Sequence, residues 1–204
     1  MSWHLLTLLG DSGLLLPCAA LIAVWLGVSP RTRNGAIRWV VIFGLGSSIV
    51  FASKLAFLGW GIGNARLDFT GVSGHTMLAT SIWPVALWLM ASRWGHAPRV
   101  AFAIAGWLLA FVIGVSRLVL EAHSISEVLA GYLMGGIVSI TFLAIQHNRP
   151  HPKLRWPWVA VSLALPLVFV PIGAPAPTQD LIERIAVRVA HLERPFTRDD
   201  LHRH

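Results

Sequence analysis

The sequence predicts an all-α membrane protein, a polytopic bundle of six transmembrane helices. Hydrophobic residues make up 55% of the 204 residues and charged residues only 12%, whereas soluble domains carry about 25% charged residues. Apolar stretches long enough to approach a hydrocarbon core of about 30 Å recur along the chain. These two observations exclude a soluble globular protein. The single cysteine, Cys18, excludes an internal disulfide framework.

The predicted spans follow one another through most of the chain. They cover residues 13–28, 37–57, 76–92, 99–116, 125–145 and 156–173. The first span is short, and residues 3–9 either extend it or lie at the membrane interface. Asp11 and Ser12 are candidate helix caps at the break. The pair Gly135-Gly136 in the fifth span predicts a close contact between helices.

The last part of the chain differs in composition from the spans. From Thr178 onward, apolar side chains recur at helical spacing with charged side chains between them: Leu181, Ile182, Ile185, Val189 and Leu192. This pattern predicts an amphipathic helix that rests on the bilayer or on the protein. We therefore divide the chain into a six-span domain, residues 1–175, and an amphipathic or solvent-exposed C-terminal tail, residues 176–204. A regulatory or partner-binding role is the alternative for this tail.

The distribution of basic residues predicts the orientation. The loops after spans one, three and five carry eight basic residues and no acidic residue: Arg31, Arg33, Arg38, Arg93, Arg99, Arg149, Lys153 and Arg155. Because short cytoplasmic loops are enriched in lysine and arginine, we expect a multi-pass inner-membrane protein with both termini in the periplasm. Topology also explains the formal net charge of +7, so we expect the bilayer and no nucleic acid as a partner.

Polar side chains suited to catalysis gather on the predicted periplasmic side. His123 and Glu127 are four residues apart, which places them on one face of a helix. The carboxylate then fixes the tautomer of the ring and leaves the second ring nitrogen free to attack or to accept a proton. The alternative is that both residues simply cap the start of the fifth span.

Further groups on this side fit an anionic ligand. The guanidinium of Arg117 matches the geometry of a phosphate or carboxylate. Ser73 and Gly74 open the third span, where the free backbone amides of a helix N-terminus favour an anion. His75 is a candidate proton donor to a leaving group. Lys54 and Arg117 either bind a phosphate or extend their charged ends to the membrane interface.

Together these residues resemble the type 2 phosphatidic acid phosphatase family, which includes bacterial lipid phosphatases and vanadium haloperoxidases. That family's second motif, Pro-Ser-Gly-His, is matched by Ser73, Gly74 and His75. Its third motif, Ser-Arg, five residues, His, three residues, Asp, is matched by Ser116, Arg117, His123 and Glu127. The membrane members have six spans, with the second motif opening the third span. The resemblance covers about residues 10 to 173.

The chain departs from the family pattern at three points. Val72 replaces the proline of the second motif, and Glu127 replaces the aspartate of the third. The first motif, Lys, six residues, Arg-Pro, is missing. Lys54 is the best candidate for its lysine, and Gly61 then stands where the arginine would be. Arg66 is a candidate replacement for that arginine.

The resemblance implies a two-step phosphoryl transfer through a covalent phosphohistidine. His123, oriented by Glu127, would attack phosphorus, and His75 would protonate the departing oxygen. The groups that would hold the phosphate are Arg117, Ser73, the Gly74 amide, Lys54, Ser116 and Arg66. The resemblance implies no cofactor and no metal. The implied substrate is a phosphorylated lipid, such as undecaprenyl diphosphate, phosphatidylglycerol phosphate, phosphatidate or a lipid A phosphate, with the site facing the periplasm.

Two other interpretations of the sequence stay open at this point. The first is an intramembrane serine protease of the rhomboid type, whose Gly-x-Ser-Gly motif is matched by residues 71–74 and whose histidine helix is loosely matched from Ala122 to Gly135. Only two predicted spans precede Ser73, however, where the rhomboid fold has three. The second is a lipid-phosphate transporter or a catalytically inactive scaffold on the same fold, which the missing first motif favours.

Overall fold

Helices account for the regular structure of the described residues. The computed structural model describes residues 3–150, 152 and 178–203. Its helices are α1 (Trp3–Leu8), α2 (Ser12–Gly27), α3 (Arg33–Trp60), α4 (Gly74–Met90), α5 (His96–Val119), α6 (Ile125–Gln146), α7 (Thr178–Ala190) and α8 (Arg198–Leu201). Two 3-10 turns cover Ala65–Leu67 and Ala91–Arg93. Within this part of the chain, the only β pairing is an isolated bridge between Asn64 and Phe69.

Four helical segments among the described residues are long and apolar enough to cross a membrane. They are Trp3–Gly27, which combines α1 with α2, and the helices α3, α5 and α6. The all-helical class is therefore confirmed. Helix α4 contains 17 residues, at the lower limit of the length that spans a bilayer. The sixth predicted span, residues 156–173, lies outside the described residues, so the count of six spans stays a prediction.

Helix α4 lies at the centre of the bundle, in contact with α2, α5 and α6. Small residues allow this close packing. A Cβ atom added to Gly106 would lie 2.5 Å from the backbone of Pro84, and one added to Gly135 would lie 2.5 Å from the Met77 carbonyl oxygen. At Gly136 an added Cβ atom would meet no described atom within 4 Å. Among the described residues, only the first glycine of the predicted pair therefore mediates a close helix contact.

One end of the bundle collects the polar side chains. The N-terminal ends of α2, α4 and α6 meet the C-terminal ends of α3 and α5 there, because consecutive long helices run in opposite directions. Asp11 caps α2 at this end, as its Oδ1 accepts a hydrogen bond from the Gly13 amide at 2.7 Å. The predicted cap at the break before α2 is therefore confirmed for Asp11.

The C-terminal segment, residues 178–203, packs against this polar end. Helix α7 contacts α3, and the Thr178 hydroxyl lies 2.9 Å from that of Ser12 at the start of α2. Further along, the Phe196 amide donates a hydrogen bond to the Leu58 carbonyl at 2.9 Å. This segment therefore lies on the protein and covers the end of α3 that faces the polar side chains.

Candidate active site

A cavity of about 1190 Å³ opens at the polar end of the bundle. Its walls come from α1, α2, α3, the start of α4, the end of α5, the loop before α6 and the C-terminal segment. The charged and titratable side chains that line it are those of His4, Asp11, Lys54, His75, Arg117, His123, Glu183 and Arg198. Residues that are far apart in the sequence thus share one space.

His123 and Glu127 form a close pair at the start of α6. The His123 Nδ1 atom lies 2.7 Å from Glu127 Oε2, and the Glu127 side chain is fully buried. Burial lowers the pKa of His123 below its usual range, and the hydrogen bond to Glu127 acts in the opposite direction. The neutral ring donates its Nδ1 proton to the carboxylate, which leaves the Nε2 lone pair available to attack.

The Glu127 carboxylate accepts hydrogen bonds from several elements. Its Oε1 atom accepts from the Thr70 amide at 2.8 Å and from the Thr70 hydroxyl at 2.5 Å. Its Oε2 atom accepts from the Ser124 amide at 3.2 Å, as part of the capping box of α6. The Arg198 Nη2 atom lies 2.9 Å from both oxygens. The glutamate therefore caps its helix and orients His123 at the same time.

His75 has its own carboxylate partner. The His75 Nε2 atom lies 3.6 Å from Asp11 Oδ2. Both side chains line the cavity, and the electrostatic influence of His123 reaches His75. Three imidazoles of the described residues therefore line the cavity, those of His4, His75 and His123, and the last two each have an acidic neighbour.

Lys54 and Arg117 bring positive charge to the same cavity. The Lys54 Nζ atom donates to the Gln179 side chain at 3.0 Å, and Arg117 Nη1 donates to the Thr7 hydroxyl at 2.7 Å. The buried Nε of Arg117 has no hydrogen-bond partner among the described residues. A buried donor without a partner costs free energy. An anion bound in this cavity can accept a hydrogen bond from this guanidinium and so remove that cost.

The start of α4 presents backbone amides to the cavity. Gly74 is the first residue of α4 and lines the cavity, and the N-cap residue Ser73 makes no side-chain capping bond. The Ser73 hydroxyl lies 3.0 Å from that of Thr76 and is fully buried. The first-turn amides therefore lack a side-chain cap among the described residues, which is the arrangement that favours an anion.

The loop before α4 is fixed to α3. The Val72 amide donates to the Ser53 hydroxyl at 3.2 Å, a bond that a proline at this position cannot make. Gly71 has a φ of 141°, and a Cβ atom there would lie 3.3 Å from the Lys54 Cα atom. This close approach and this backbone conformation both require glycine.

Comparison with known proteins identifies the family. Residues 53–151 match the model of the PAP2 superfamily. A protein of Klebsiella pneumoniae described as "Uncharacterized 22.5 kDa protein in cps region" is 45% identical over 206 residues, covering 100% of this chain and 99% of that protein. The chain belongs to the PAP2 superfamily. Phosphatidylglycerophosphatase B of Bacillus subtilis (strain 168) is 28% identical over 145 residues, covering 64% of this chain and 66% of that protein. No solved structure matches significantly.

Three residues predicted to bind phosphate on the PAP2 resemblance, Ser73, Ser116 and Arg66, do not line the cavity. The Ser116 hydroxyl is fully buried and donates to the Ile113 carbonyl at 2.6 Å, within its own helix. Arg66 lies in an exposed 3-10 turn outside the cavity. The structure therefore does not bring Arg66 to the place of the missing arginine of the first motif, because that turn directs it away from the cavity lining.

The structure also adds site residues that the sequence patterns do not indicate. The sequence predicts Asp11 only as a helix cap, and it places Arg198 in an amphipathic or exposed tail. Thr70 lies three residues before Ser73 and belongs to no motif. The available signal for Asp11 is a lone carboxylate between two apolar stretches, which is unusual in a membrane protein. Both Asp11 and Arg198 lie outside the part of the chain that matches the PAP2 model.

The geometry does not favour a rhomboid-type protease. Ser73, the nucleophile in that interpretation, is fully buried, and its hydroxyl lies 3.0 Å from that of Thr76. A serine protease needs its serine hydroxyl beside the histidine and open to substrate. The membership of the PAP2 superfamily agrees with this conclusion.

Proposed function

We propose that this protein is a membrane lipid phosphatase that hydrolyses a phosphate monoester or diphosphate of a lipid through a phosphohistidine. The observation that carries this proposal is the pair of imidazole–carboxylate contacts in one cavity, 2.7 Å for His123–Glu127 and 3.6 Å for His75–Asp11. Arg117 and Lys54 line the same cavity and supply positive charge. This combination suits transfer of a phosphoryl group between two imidazole-assisted steps.

In the first step, the Nε2 atom of His123 attacks phosphorus. The bond between phosphorus and the lipid oxygen breaks, and the electron pair leaves with that oxygen. His75, protonated and beside Asp11, gives its proton to the oxygen. Glu127 holds the Nδ1 proton of His123 and stabilises the positive charge that develops on the ring. The products of this step are the dephosphorylated lipid and a phosphohistidine at His123.

In the second step, water cleaves the phosphohistidine. His75 is now neutral and accepts a proton from the attacking water, while the bond between phosphorus and Nε2 breaks. Inorganic phosphate leaves, and both imidazoles return to their starting protonation states. His75 thus acts as an acid in one step and as a base in the other.

Fixed positive charge and amide dipoles stabilise the transition states. Arg117, Lys54 and the Gly74 amide surround the position of the phosphoryl oxygens, and Ser73 fixes the start of α4. Positioning and electrostatic stabilisation account for most catalysis of phosphoryl transfer. Because these protein groups supply that stabilisation, we expect the activity to persist in a chelator.

The shape of the cavity supports a lipid substrate. Ser47, Val50 and Phe51 of α3 line it below Lys54, which extends the wall about 10 Å along the helix from the lysine. Leu16 of α2 adds to the apolar lining. A phosphate can thus lie among the cations while the first part of its apolar chain lies between α2 and α3. A soluble phosphate ester would leave these apolar walls unfilled.

The candidate substrates are phosphatidylglycerol phosphate, phosphatidate, undecaprenyl diphosphate and lipid A phosphates. The name of the distant relative, phosphatidylglycerophosphatase B, favours phosphatidylglycerol phosphate as the first to test. The excess of basic residues at the opposite end of the bundle favours an inner-membrane protein whose site faces the periplasm.

The deciding experiment measures phosphate release by purified protein from a panel of these lipids. We expect the wild type to hydrolyse at least one of them in the presence of EDTA. The His123→Ala variant should lose at least about 10³-fold in kcat, because the nucleophile is gone. Trapping with a ³²P-labelled substrate should label the wild type and leave His123→Ala unlabelled. Normal turnover by His123→Ala would refute the proposal.

A further inference from the structure

The C-terminal segment places a guanidinium against the catalytic carboxylate. Arg198 Nη2 lies 2.9 Å from both oxygens of Glu127. Its Nη1 atom contacts Asp68, both at the carboxylate and at the backbone carbonyl, the latter at 3.0 Å. The Arg198 side chain is 36% exposed, whereas that of Glu127 is fully buried. The arginine therefore connects a buried catalytic group to the cavity surface.

Several contacts hold the segment around Arg198 against the rest of the protein. The Phe196 amide donates to the Leu58 carbonyl at 2.9 Å, and the Phe196 ring packs on Gly61, where an added Cβ atom would lie 3.2 Å from it. Gly61 is the position at which the family's first motif would carry its arginine. The Phe196 ring thus lies against the position from which that side chain would extend. His202 Nε2 lies 2.9 Å from Asp68 Oδ1, so the Asp68 carboxylate contacts both His202 and Arg198.

We propose that Arg198 is a positioning residue of the active site: its guanidinium holds the Glu127 carboxylate in the orientation that presents His123 to the phosphate. This inference rests on the proposed function. Both Nη atoms of Arg198 are bonded to carboxylates, so the guanidinium acts through Glu127 and is not a replacement phosphate ligand. The fork geometry of arginine suits this two-sided contact.

Through its contact with Glu127, we expect the charge of Arg198 to affect the ionisation of His123. Glu127 of α6 contacts His123, and the same cavity is lined by Lys54 of α3, His75 of α4, Arg117 of α5 and Arg198 of the C-terminal segment. Glu127 raises the pKa of His123, and a cation on Glu127 weakens this effect. Removal of the Arg198 charge should therefore raise the pKa of the His123 ring. Protonation would then remove the attacking form of the ring at a higher pH than in the wild type.

Arg198→Gln tests the proposal by kinetics on whichever lipid the wild type hydrolyses. We expect kcat to fall about 10- to 100-fold with little change in KM, because orientation and not substrate binding is lost. The acid limb of the pH profile should move up by about 0.5 to 1 pH unit. Arg198→Lys keeps the positive charge but lacks the planar guanidinium with its two donor nitrogens. The acid limb should therefore stay at the wild-type pH, whereas kcat should be only partly retained. Arg188→Gln, on an exposed residue of α7, is the matched control and should match the wild type.

A double-mutant cycle separates this role from general damage to the fold. In a Glu127→Gln background, the Arg198→Gln change should alter kcat by less than about twofold, since its partner is already neutral. An equal loss in both backgrounds would overturn the proposal. So would a normal kcat and an unmoved acid limb in the Arg198→Gln single variant.

A titration without substrate keeps this inference distinct from the proposed function. NMR of protein labelled with ¹³C at histidine Cε1, with His123→Ala for assignment, follows the His123 ring directly. We expect its midpoint to rise by about 0.5 to 1 pH unit in Arg198→Gln and to stay unchanged in Arg188→Gln. An unchanged midpoint in Arg198→Gln would overturn the inference even if phosphatase activity is established. If the midpoint shifts but the wild type has no phosphatase activity, the proposed function is refuted and the positioning role of Arg198 is supported.

Discussion

Asp11 Oδ2 lies 3.6 Å from His75 Nε2 in the cavity, although the two residues belong to different helices. The other oxygen of Asp11 caps α2 through the Gly13 amide at 2.7 Å. One carboxylate thus fixes a helix start and faces an imidazole. The position of the predicted proton donor therefore depends on where α2 begins.

The Asp11→Asn variant tests the first consequence of this contact. The introduced amide can still cap α2, because its side-chain oxygen can accept a hydrogen bond from the Gly13 amide. The negative charge beside His75 is lost, so the imidazolium is less stable and the alkaline limb of the kcat profile should move to lower pH. We expect kcat at neutral pH to fall about 10-fold. Glu121→Gln, at an exposed carboxylate of the same end, is the control; an alkaline limb unchanged in the Asp11 variant would disprove the role.

The pH dependence of His123 follows from its burial. Burial lowers its pKa below the ordinary value of 6.5, so the neutral, attacking form is fully present above about pH 6.5. It is lost as the pH falls through the lower value of the folded state. Glu127→Gln removes a charge that raises this pKa, so it should move the acid limb of kcat/KM further down while kcat falls. The substrate ionises in the same way with both proteins, so it does not contribute to the difference between them. A shift of the acid limb to higher pH in Glu127→Gln would contradict this account.

Lys54 and Arg66 give a paired test of phosphate binding. Lys54 lines the cavity and Arg66 does not. Lys54→Gln should lower kcat/KM about 10- to 100-fold, the value of a charge-assisted hydrogen bond to phosphate. Arg66→Gln should stay within about twofold of the wild type, as expected for an exposed charge. Equal losses in the two variants, measured on the same lipid, would show that the cavity is not the phosphate site.

Adjacent glycines in α6 test the packing that holds α4 in place. A Cβ atom at Gly135 would lie 2.5 Å from the Met77 carbonyl oxygen and 2.7 Å from Thr80, whereas one at Gly136 would have no atom of the described residues within 4 Å. Gly135→Ala should destabilise the protein by about 1 to 3 kcal/mol. Gly136→Ala should be neutral or stabilising by up to about 1 kcal/mol, since alanine favours a helix. Thermal unfolding in detergent measures both, and equal midpoints would contradict this packing.

Local spacing makes part of the site predictable. The contact between His123 and Glu127 follows from a separation of four residues on one helix, and the start of α4 at Gly74 follows from the Ser-Gly pair at the end of a polar loop. Hydropathy also predicts most helices, because a segment that lies in lipid must satisfy its backbone polar groups internally.

Contacts between distant segments are not predictable in this way. Asp11 meets His75, and Arg198 meets Glu127 across 71 positions of the chain, and no periodicity relates such pairs. Arg66 is a candidate by its charge and its place in the sequence, but the 3-10 turn of its loop decides where the side chain goes. The balanced charge of the last segment indicates an amphipathic surface and contains no sign that one arginine enters the cavity.

The bond from the Val72 amide to Ser53 has a mechanical consequence. Ser53 immediately precedes Lys54, and Gly71 packs on Lys54, so the residues that lead into α4 are held against the part of α3 that carries Lys54. Exchanging the side chain at position 54 would change its reach and its charge without breaking the bond from Val72 to Ser53. Under the proposed function, the distance between Lys54 and the first turn of α4 thus limits the size of the anion that fits between them.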